Sequence, residues 1–396
     1  MQALLQTFSS MSATDLASLL TARTLHVLPR LAKYLVLLLF LVQVRSWPFA
    51  WHYRVWHPVF VLRGKFLLHR LSNMFRSPEV RRQKNLEWLE NLSNVGANPF
   101  EMQVTYTCWA GPDDCDFNLH LSNSSYPKHL DAARFKYALA CGPTFFRVGG
   151  WMGLGATHFS FLREIPIFSN YEMRVGIMSW DQKWLYVVTR YVTKPKKQGK
   201  KAHIKPSETP SSAPSAEAAP NPSLHTANGI NTGTSTPLPS GGSAPNVKAL
   251  AAQLLERPEP DGAVLNCLAI SEIVCKIGRI TVPPALVYAV DGFCCAPPQT
   301  TTEDGKPAPK AYSRENPPPH WERVRELRGD VHLSSAKESK ATLKGLREFF
   351  TKGWREVPEG ERWWEQALGG EIEERRLKGL ACMQALRKGM EEARTI

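Results

Sequence analysis

The sequence lacks any pair of cysteines with the spacing of a metal site. Its eight cysteines are scattered along 396 residues, and no two of them are separated by two residues. This excludes zinc ribbons and related zinc modules, and the scatter favours a reducing compartment. With 43% hydrophobic and 21% charged residues, the chain is also not collagen-like, coiled-coil or wholly disordered. We predict neither a metal nor a cofactor.

A hydrophobic run of full membrane-spanning length is missing as well. Residues 31–44 read LAKYLVLLLFLVQV, with Arg30 and Arg45 at the edges. A helix that spans a membrane needs about 20 apolar residues, so this run is short. Aromatic residues follow between Trp47 and Trp56 and are typical of a membrane interface. We predict an anchor region over residues 1–65, either a single spanning helix or an in-plane anchor. A buried core helix is the alternative, and a signal peptide is disfavoured because no small-residue cleavage site follows.

The net charge of +13 is unevenly distributed. Residues 1–99 contain twelve Lys and Arg but only four Asp and Glu. Because the basic residues flank a hydrophobic run, they favour an anionic membrane surface over nucleic acid as the partner. More of them follow the run than precede it, so the positive-inside rule predicts a cytosolic main domain.

Residues 194–260 contain no aromatic residue and are rich in Ser, Thr, Ala, Gly and Pro. Such a segment cannot bury enough apolar surface to offset its chain entropy, which predicts a disordered insertion over residues 194–261. The basic run 194–201 could meet the phosphate groups of a ligand, but a solvated tail is the more common role of such runs.

The remaining chain predicts an α+β domain over residues 100–293. Alternating apolar residues predict strands at 103–109, 156–163, 171–180, 183–193 and 264–277, and the apolar pattern resumes at 280–290. A helix is predicted at 126–140, between Pro127 and the Gly142-Pro143 pair. In region 66–99, residues 78–92 predict an amphipathic lead-in helix. Residues 294–396 predict a linker and a helical tail.

The loop that enters the central helix concentrates polar chemistry. Residues 111–126 read GPDDCDFNLHLSNSSY, with three carboxylates, two asparagines and a histidine. Free amides at a helix start stabilise negative charge on a carbonyl oxygen, and a nearby carboxylate can attack an acyl group or orient water. Residue types alone favour a plainer alternative, in which Asp and Asn cap the helix and form turns.

The stretch DCDFNLHLSNSSYPKHLDAARF resembles hotdog-fold acyl thioesterases of the 4-hydroxybenzoyl-CoA thioesterase type. It is similar to their membrane-tethered branch, which includes thioesterase superfamily member six and its fungal relatives. The resemblance implies an antiparallel sheet wrapped around one central helix. GRITVPP, at 278–284, resembles the closing strand of that branch.

The resemblance also implies roles for four residues. Asp116 would be the catalytic nucleophile or general base, and the backbone amide of Asn123 would be the oxyanion donor. Asn118 would position the carboxylate or the thioester oxygen. His120 would either orient water or only hydrogen-bond the loop. The Asp116-x-Asn118-x-His120 triplet also resembles the motif of plant acyl-carrier-protein thioesterases. The additional downstream glutamate of that family has only a weak counterpart here, Glu164.

Nearby charged residues have simpler interpretations. Asp113 and Asp114 are expected to be solvated turn residues, and Asp131 and Arg134 are expected to form an i,i+3 salt bridge.

Together these features predict a membrane-anchored hotdog thioesterase that hydrolyses acyl-CoA-type thioesters and forms a homodimer. A non-catalytic acyl-binding or scaffold protein is the first alternative. A hotdog hydratase is less favoured, because its aspartate and histidine are five positions apart with a proline between them, whereas Asp116 and His120 are four apart without one.

Overall fold

The computed structural model describes residues 29–194, 259–297, 310–329 and 338–393. Most of the predicted insertion lies outside these ranges. The helices are α1 (29–42), α2 (Ala50–Ser72), α3 (Pro78–Glu90), α4 (Ser125–Cys141), α5 (Pro143–Arg147), α6 (Pro284–Val290), α7 (His320–Arg328), α8 (Glu338–Thr351), α9 (Trp363–Ala367) and α10 (Glu371–Glu392). The strands are β1 (Gln103–Trp109), β2 (Gly150–Phe161), β3 (Asn170–Trp180), β4 (Trp184–Thr193), β5 (Val264–Ile277) and β6 (Ile280–Thr281).

The described strands form one antiparallel sheet in the order β1-β3-β4-β5-β2, with β6 paired to β5. Buried and less buried side chains alternate along β3: Tyr171, Met173 and Val175 are buried, and the residues between them are more exposed. Successive side chains of a strand point to opposite faces of a sheet, so one face of β3 lies against the core. The turn after β3 is held by Asp181, whose Oδ1 accepts the amides of Lys183 at 2.7 Å and Trp184 at 2.5 Å. The predicted β3–β4 hairpin is therefore confirmed.

Helix α4 packs its apolar side against this sheet. Tyr126, Leu130, Ala133 and Tyr137 recur at helical spacing and are all buried. The Tyr191 hydroxyl on β4 donates to the Tyr126 carbonyl at 2.9 Å, which fixes the start of the helix against the sheet. The α+β hotdog-like arrangement expected from the sequence is confirmed.

The structure departs from the predicted pattern chiefly at β2 and in segment 280–290. β2 begins at Gly150, six residues before the predicted start, because three glycines at 150, 153 and 155 hid the alternation. The apolar segment 280–290 is not one strand, since β6 ends at Thr281 and α6 begins at Pro284. A proline fits the first turn of a helix but supplies no amide to a sheet, so the proline pair ends the strand and starts the helix.

The chain after residue 319 contains helices, and the last of them crosses the sheet. α10 approaches β3 so closely that a Cβ at Gly379 would lie 2.4 Å from the Met178 carbonyl oxygen. Arg376 donates from Nη1 to the Trp180 carbonyl at 2.8 Å, and the Ser179 hydroxyl donates to the Arg376 carbonyl at 2.7 Å. This helix therefore covers part of the sheet.

The amino-terminal helices carry many exposed apolar side chains. In α1, Leu31, Tyr34 and Val36 are 59%, 66% and 65% exposed, so the buried-core alternative for residues 31–44 is wrong. α1 ends at residue 42, and a short 3₁₀ turn, Val44–Ser46, follows. Among the described residues, no helix combines the length and the apolar character needed to cross a membrane. The predicted lead-in helix is α3, which Ser77 caps through the Val80 amide.

Candidate active site

Asp116 lies in a tight hairpin between β1 and α4. Cys115 pairs with Leu121 across the hairpin, and the Asp116 amide donates to the His120 carbonyl at 2.9 Å. Leu119 closes the turn with a φ of 62°, an uncommon conformation for a non-glycine residue that the flanking hydrogen bonds hold in place. The hairpin thus presents residues 116–120 at a fixed turn.

The carboxylate of Asp116 is half-buried and organised by its own loop. Its Oδ1 accepts the backbone amide of Asn118 at 2.9 Å and that of His120 at 3.3 Å. In the described part of the chain, Oδ2 makes no hydrogen bond. One oxygen therefore fixes the orientation of the group, which leaves the other for a water molecule or an acyl carbon.

His120 faces Glu164, the weak candidate from the sequence. Its Nδ1 lies 3.3 Å from Oε2 of Glu164, and both side chains are partly exposed. The strand-like bridge between His120 and Pro166 brings the two loops together. The structure therefore pairs these two residues beside the Asp116 turn.

The two asparagines do not join this group through their side chains. Asn118 is exposed and contributes its backbone amide, and Asn123 is exposed two residues before α4 begins. The Ser125 amide donates to the Ser122 carbonyl at 2.8 Å, so a turn leads into the helix. The proposed oxyanion donor at Asn123 thus precedes the first turn of α4 and stays a prediction.

Asp114 is not a solvated turn residue, and this prediction is wrong. Its side chain is fully buried, with Oδ1 2.9 Å from Nζ of Lys128 and 3.1 Å from Nε2 of His129. Nε of Arg45 lies 3.6 Å from Oδ2. Burial alone would raise the pKa of Asp114, but the contacts with His129 and Lys128 outweigh it and lower the pKa well below its ordinary value. Asp113 is exposed, as expected.

The expected salt bridge between Asp131 and Arg134 on α4 is present. Arg134 also donates to the hydroxyls of Thr157 at 2.9 Å and Ser271 at 3.0 Å. The pair therefore ties the helix to strands β2 and β5. In the ranges that the structure describes, no three His, Cys, Asp or Glu side chains are grouped so that they could hold a metal ion.

Comparison with known proteins finds a family model that matches this loop and the residues after it. Residues 110–205 match the Thioesterase-like superfamily. The matched residues of this thioesterase-like stretch begin one residue before the loop and include Asp116, Asn118, His120 and Asn123.

Relatives of the thioesterase-like stretch occur in fungi and animals. The chain is 30% identical over 160 residues to the Probable thioesterase YBR096W of Saccharomyces cerevisiae, which covers 38% of this chain and 60% of that protein. It is 26% identical over 187 residues to Thioesterase lcsJ of Purpureocillium lilacinum, covering 42% of this chain and 60% of that one. Protein THEM6 of Danio rerio is 32% identical over 83 residues, which cover 20% of this chain and 41% of the length of that protein. The chain thus spans about 60% of the length of the two fungal relatives.

Solved structures give a weaker likeness. The 4-hydroxybenzoyl-CoA thioesterase of Pseudomonas sp. strain CBS-3 is 14% identical with a TM-score of 0.28, covering 48% of this chain and 98% of that one. Protein TT1821 of Thermus thermophilus is 12% identical, also with a TM-score of 0.28, covering 48% and 94%. These values support no statement about function.

Sequence reasoning missed a buried group beside the thioesterase-like loop, formed by Arg45, Cys108, His129 and Tyr171. A signal for one of them was present, because His129 lies three residues after Tyr126 and next to Leu130, on the buried side of α4. A histidine on an apolar helix side needs a polar partner. Asp114 is that partner.

Proposed function

We propose that this protein hydrolyses acyl thioesters. The observation that carries the proposal is the match of residues 110–205 to the Thioesterase-like superfamily. Relatives named as thioesterases, at 30% and 26% identity, support it. An acyl-CoA is the substrate class we infer, with its acyl chain against the apolar residues between α4 and the sheet.

The geometry of the Asp116 turn supports a role for its carboxylate. Two backbone amides hold Oδ1, so Oδ2 can attack the thioester carbonyl or take a proton from an attacking water. The negative charge that develops on the carbonyl oxygen needs an amide donor, and we assign this role to the backbone at Asn123, ahead of α4. His120, paired with Glu164, would orient the water.

The proposal is tested by assaying the purified full chain against acyl-CoA thioesters of short, medium and long chain length, with release of free thiol as the readout. We expect turnover of at least one of them above the rate of spontaneous hydrolysis. Binding of an acyl-CoA without turnover of any tested thioester would support the acyl-binding alternative instead.

Sedimentation of the same preparation tests the proposed homodimer, which predicts twice the chain mass of 44.5 kDa.

We further propose that the amino-terminal helices bind an anionic membrane surface, with the main domain in the cytosol. On α2, exposed apolar residues such as Phe60 and Leu68 lie near the exposed basic residues Arg63, Lys65 and Arg70. Apolar side chains enter the interface, while Lys and Arg are attracted to anionic headgroups by about 1 kcal/mol each.

Flotation with lipid vesicles measures this binding. We expect the chain to float with vesicles that contain phosphatidylserine, and less of it to float at high salt because ions screen the attraction. Replacing Arg63, Lys65 and Arg70 by glutamine should reduce the floated fraction, whereas Lys344→Gln, an exposed site on α8, should not. Equal flotation with neutral vesicles would contradict the electrostatic part of the proposal.

A further inference from the structure

Four parts of the chain place charged and polar groups around the sulfur of Cys108, a buried residue on β1. Nη2 of Arg45 donates to Sγ at 2.7 Å, and Nδ1 of His129 lies 3.7 Å from it. Nε2 of His129 lies 3.1 Å from Asp114 Oδ1, and the Tyr171 hydroxyl contacts Nδ1. The order carboxylate, imidazole, sulfur is the one that activates cysteine nucleophiles.

These contacts favour the charged form of the sulfur. Burial alone would raise the pKa of the Cys108 thiol, but His129 and the Arg45 charge outweigh it and lower the pKa to about 6. For His129, burial alone would lower the pKa, but the contacts with Asp114 and Cys108 raise it by more than burial lowers it. The contacts therefore favour the thiolate of Cys108 over the thiol. The charged and titratable groups around this site are Arg45, Tyr106, Asp114, Lys128, His129, Tyr171 and Tyr191.

Arg45 links this thiolate to the amino-terminal helices. It belongs to the 3₁₀ turn Val44–Ser46 between α1 and α2. Its Nη1 donates to the Trp109 carbonyl at 2.6 Å, and the guanidinium lies 5.4 Å from the Trp109 ring centroid. The side chain is only 13% exposed, so it covers the sulfur and ties the turn to β1 at the same time.

We propose that Cys108 is a peroxide-sensitive modification site, and that its oxidation releases Arg45 and the Val44–Ser46 turn from β1. The sulfur attacks one oxygen of a hydroperoxide, so that an S–O bond forms while the O–O bond breaks. The sulfur is oxidised by two electrons to a sulfenic acid. The departing hydroxide or alkoxide takes a proton from the His129 imidazolium and leaves as water or an alcohol.

The geometry explains both the reagent and the release. A peroxide is among the smallest electrophiles, and only a small one can reach a sulfur that is covered by Arg45. Oxidation turns the anionic sulfur into a neutral sulfenic acid, and an oxygen added on the Arg45 side does not fit within the Sγ–Nη2 distance of 2.7 Å, so the contact that holds the guanidinium is weakened. A thiol reductant reverses the modification.

The first test compares cysteines within one chain. The full-length protein is treated at pH 7 with limiting hydrogen peroxide, trapped with dimedone and digested, and each cysteine is quantified by mass spectrometry. We expect Cys108 to be labelled at least about tenfold more than Cys267 and Cys275, because burial raises the pKa of both to about 12. Labelling no greater than theirs would overturn the proposal.

The rate of Cys108 oxidation by hydrogen peroxide, followed as a function of pH, measures the charge of the sulfur with a reagent small enough to reach it. In the wild-type chain the rate at Cys108 should rise with a midpoint near pH 6. His129→Gln removes the cation and should raise that midpoint by at least about one unit, a tenfold lower rate at pH 6. His158→Gln, on β2, pairs instead with Glu272 and should leave the midpoint unchanged. A wild-type midpoint above pH 8 would show that the Cys108 sulfur is not charged at neutral pH and would contradict the proposal.

Release of the turn is measured by hydrogen exchange over residues 43–49. Peroxide should speed exchange there several-fold in the wild-type chain. Cys108→Ser, which cannot be oxidised, should show no response to peroxide. Complete oxidation of Cys108 without faster exchange would overturn the release step.

Discussion

Replacing Asp116 by asparagine is expected to lower kcat for thioester hydrolysis about 10²–10⁴-fold, the range lost when a positioned acid–base group is removed. The amide oxygen of asparagine can still accept the backbone amides of Asn118 and His120, so the hairpin should keep its shape. The substitution therefore removes the negative charge and little else. Steady-state kinetics with the best acyl-CoA substrate measures the effect.

The neighbouring residue Asp113 provides a matched control. It is exposed in the same loop and three residues away, so Asp113→Asn changes the net charge by the same amount. We expect its kcat to stay within about twofold of wild type, the scatter of a surface substitution. If Asp116→Asn kept wild-type kcat, the proposed role of this carboxylate would be wrong.

Periodic segments could be predicted from the sequence with good accuracy. β1 and β5 have the predicted bounds, and α4 differs from its prediction by one residue at each end. In these segments the inner and outer residues alternate at the spacing of the element, so local pattern and tertiary packing agree. For segment 280–290 the sequence indicated only an apolar pattern broken at Pro283-Pro284, because apolar content alone does not distinguish a strand from a helix. In the structure a helix follows the proline pair.

The polar residues of the loop show where local reasoning ends. The turn around Asp116 is made of contacts within five residues, which aspartate and asparagine commonly form. Asp114 is the same residue type in the same loop, but its burial depends on His129 of α4, which follows the loop, and on Arg45, which is distant in sequence. No spacing within the loop indicates that an arginine before the domain will approach it. The pairing of His120 with Glu164 likewise needs the bridge to the loop at Pro166.

A second large effect is expected when the charge of Asp114 is removed. Asp114→Asn should lower the free energy of unfolding by about 3–5 kcal/mol, the cost of breaking a buried ion pair on one side. The carboxylate is fully buried between Lys128 and His129, with Arg45 on its other oxygen. An asparagine of the same shape leaves these cations close together without an anion. Urea denaturation at pH 7 measures the difference, and exposed Asp113→Asn should stay within about 0.5 kcal/mol.

The pH dependence of this difference identifies its electrostatic origin. The pKa of Asp114 is lower in the folded chain than its ordinary value of 3.8, so the stability it contributes is fully present above pH 3.8 and is lost on acidification through the folded pKa. The pKa of His129 is raised above 6.5, so its contribution is fully present below pH 6.5 and is lost as the pH rises through the folded pKa. The difference in free energy of unfolding between wild type and Asp114→Asn should therefore be largest between about pH 4 and 6.5 and should become smaller at more acidic pH. A difference that stays constant on acidification below pH 3.8 would mean that packing, not charge, makes this residue necessary.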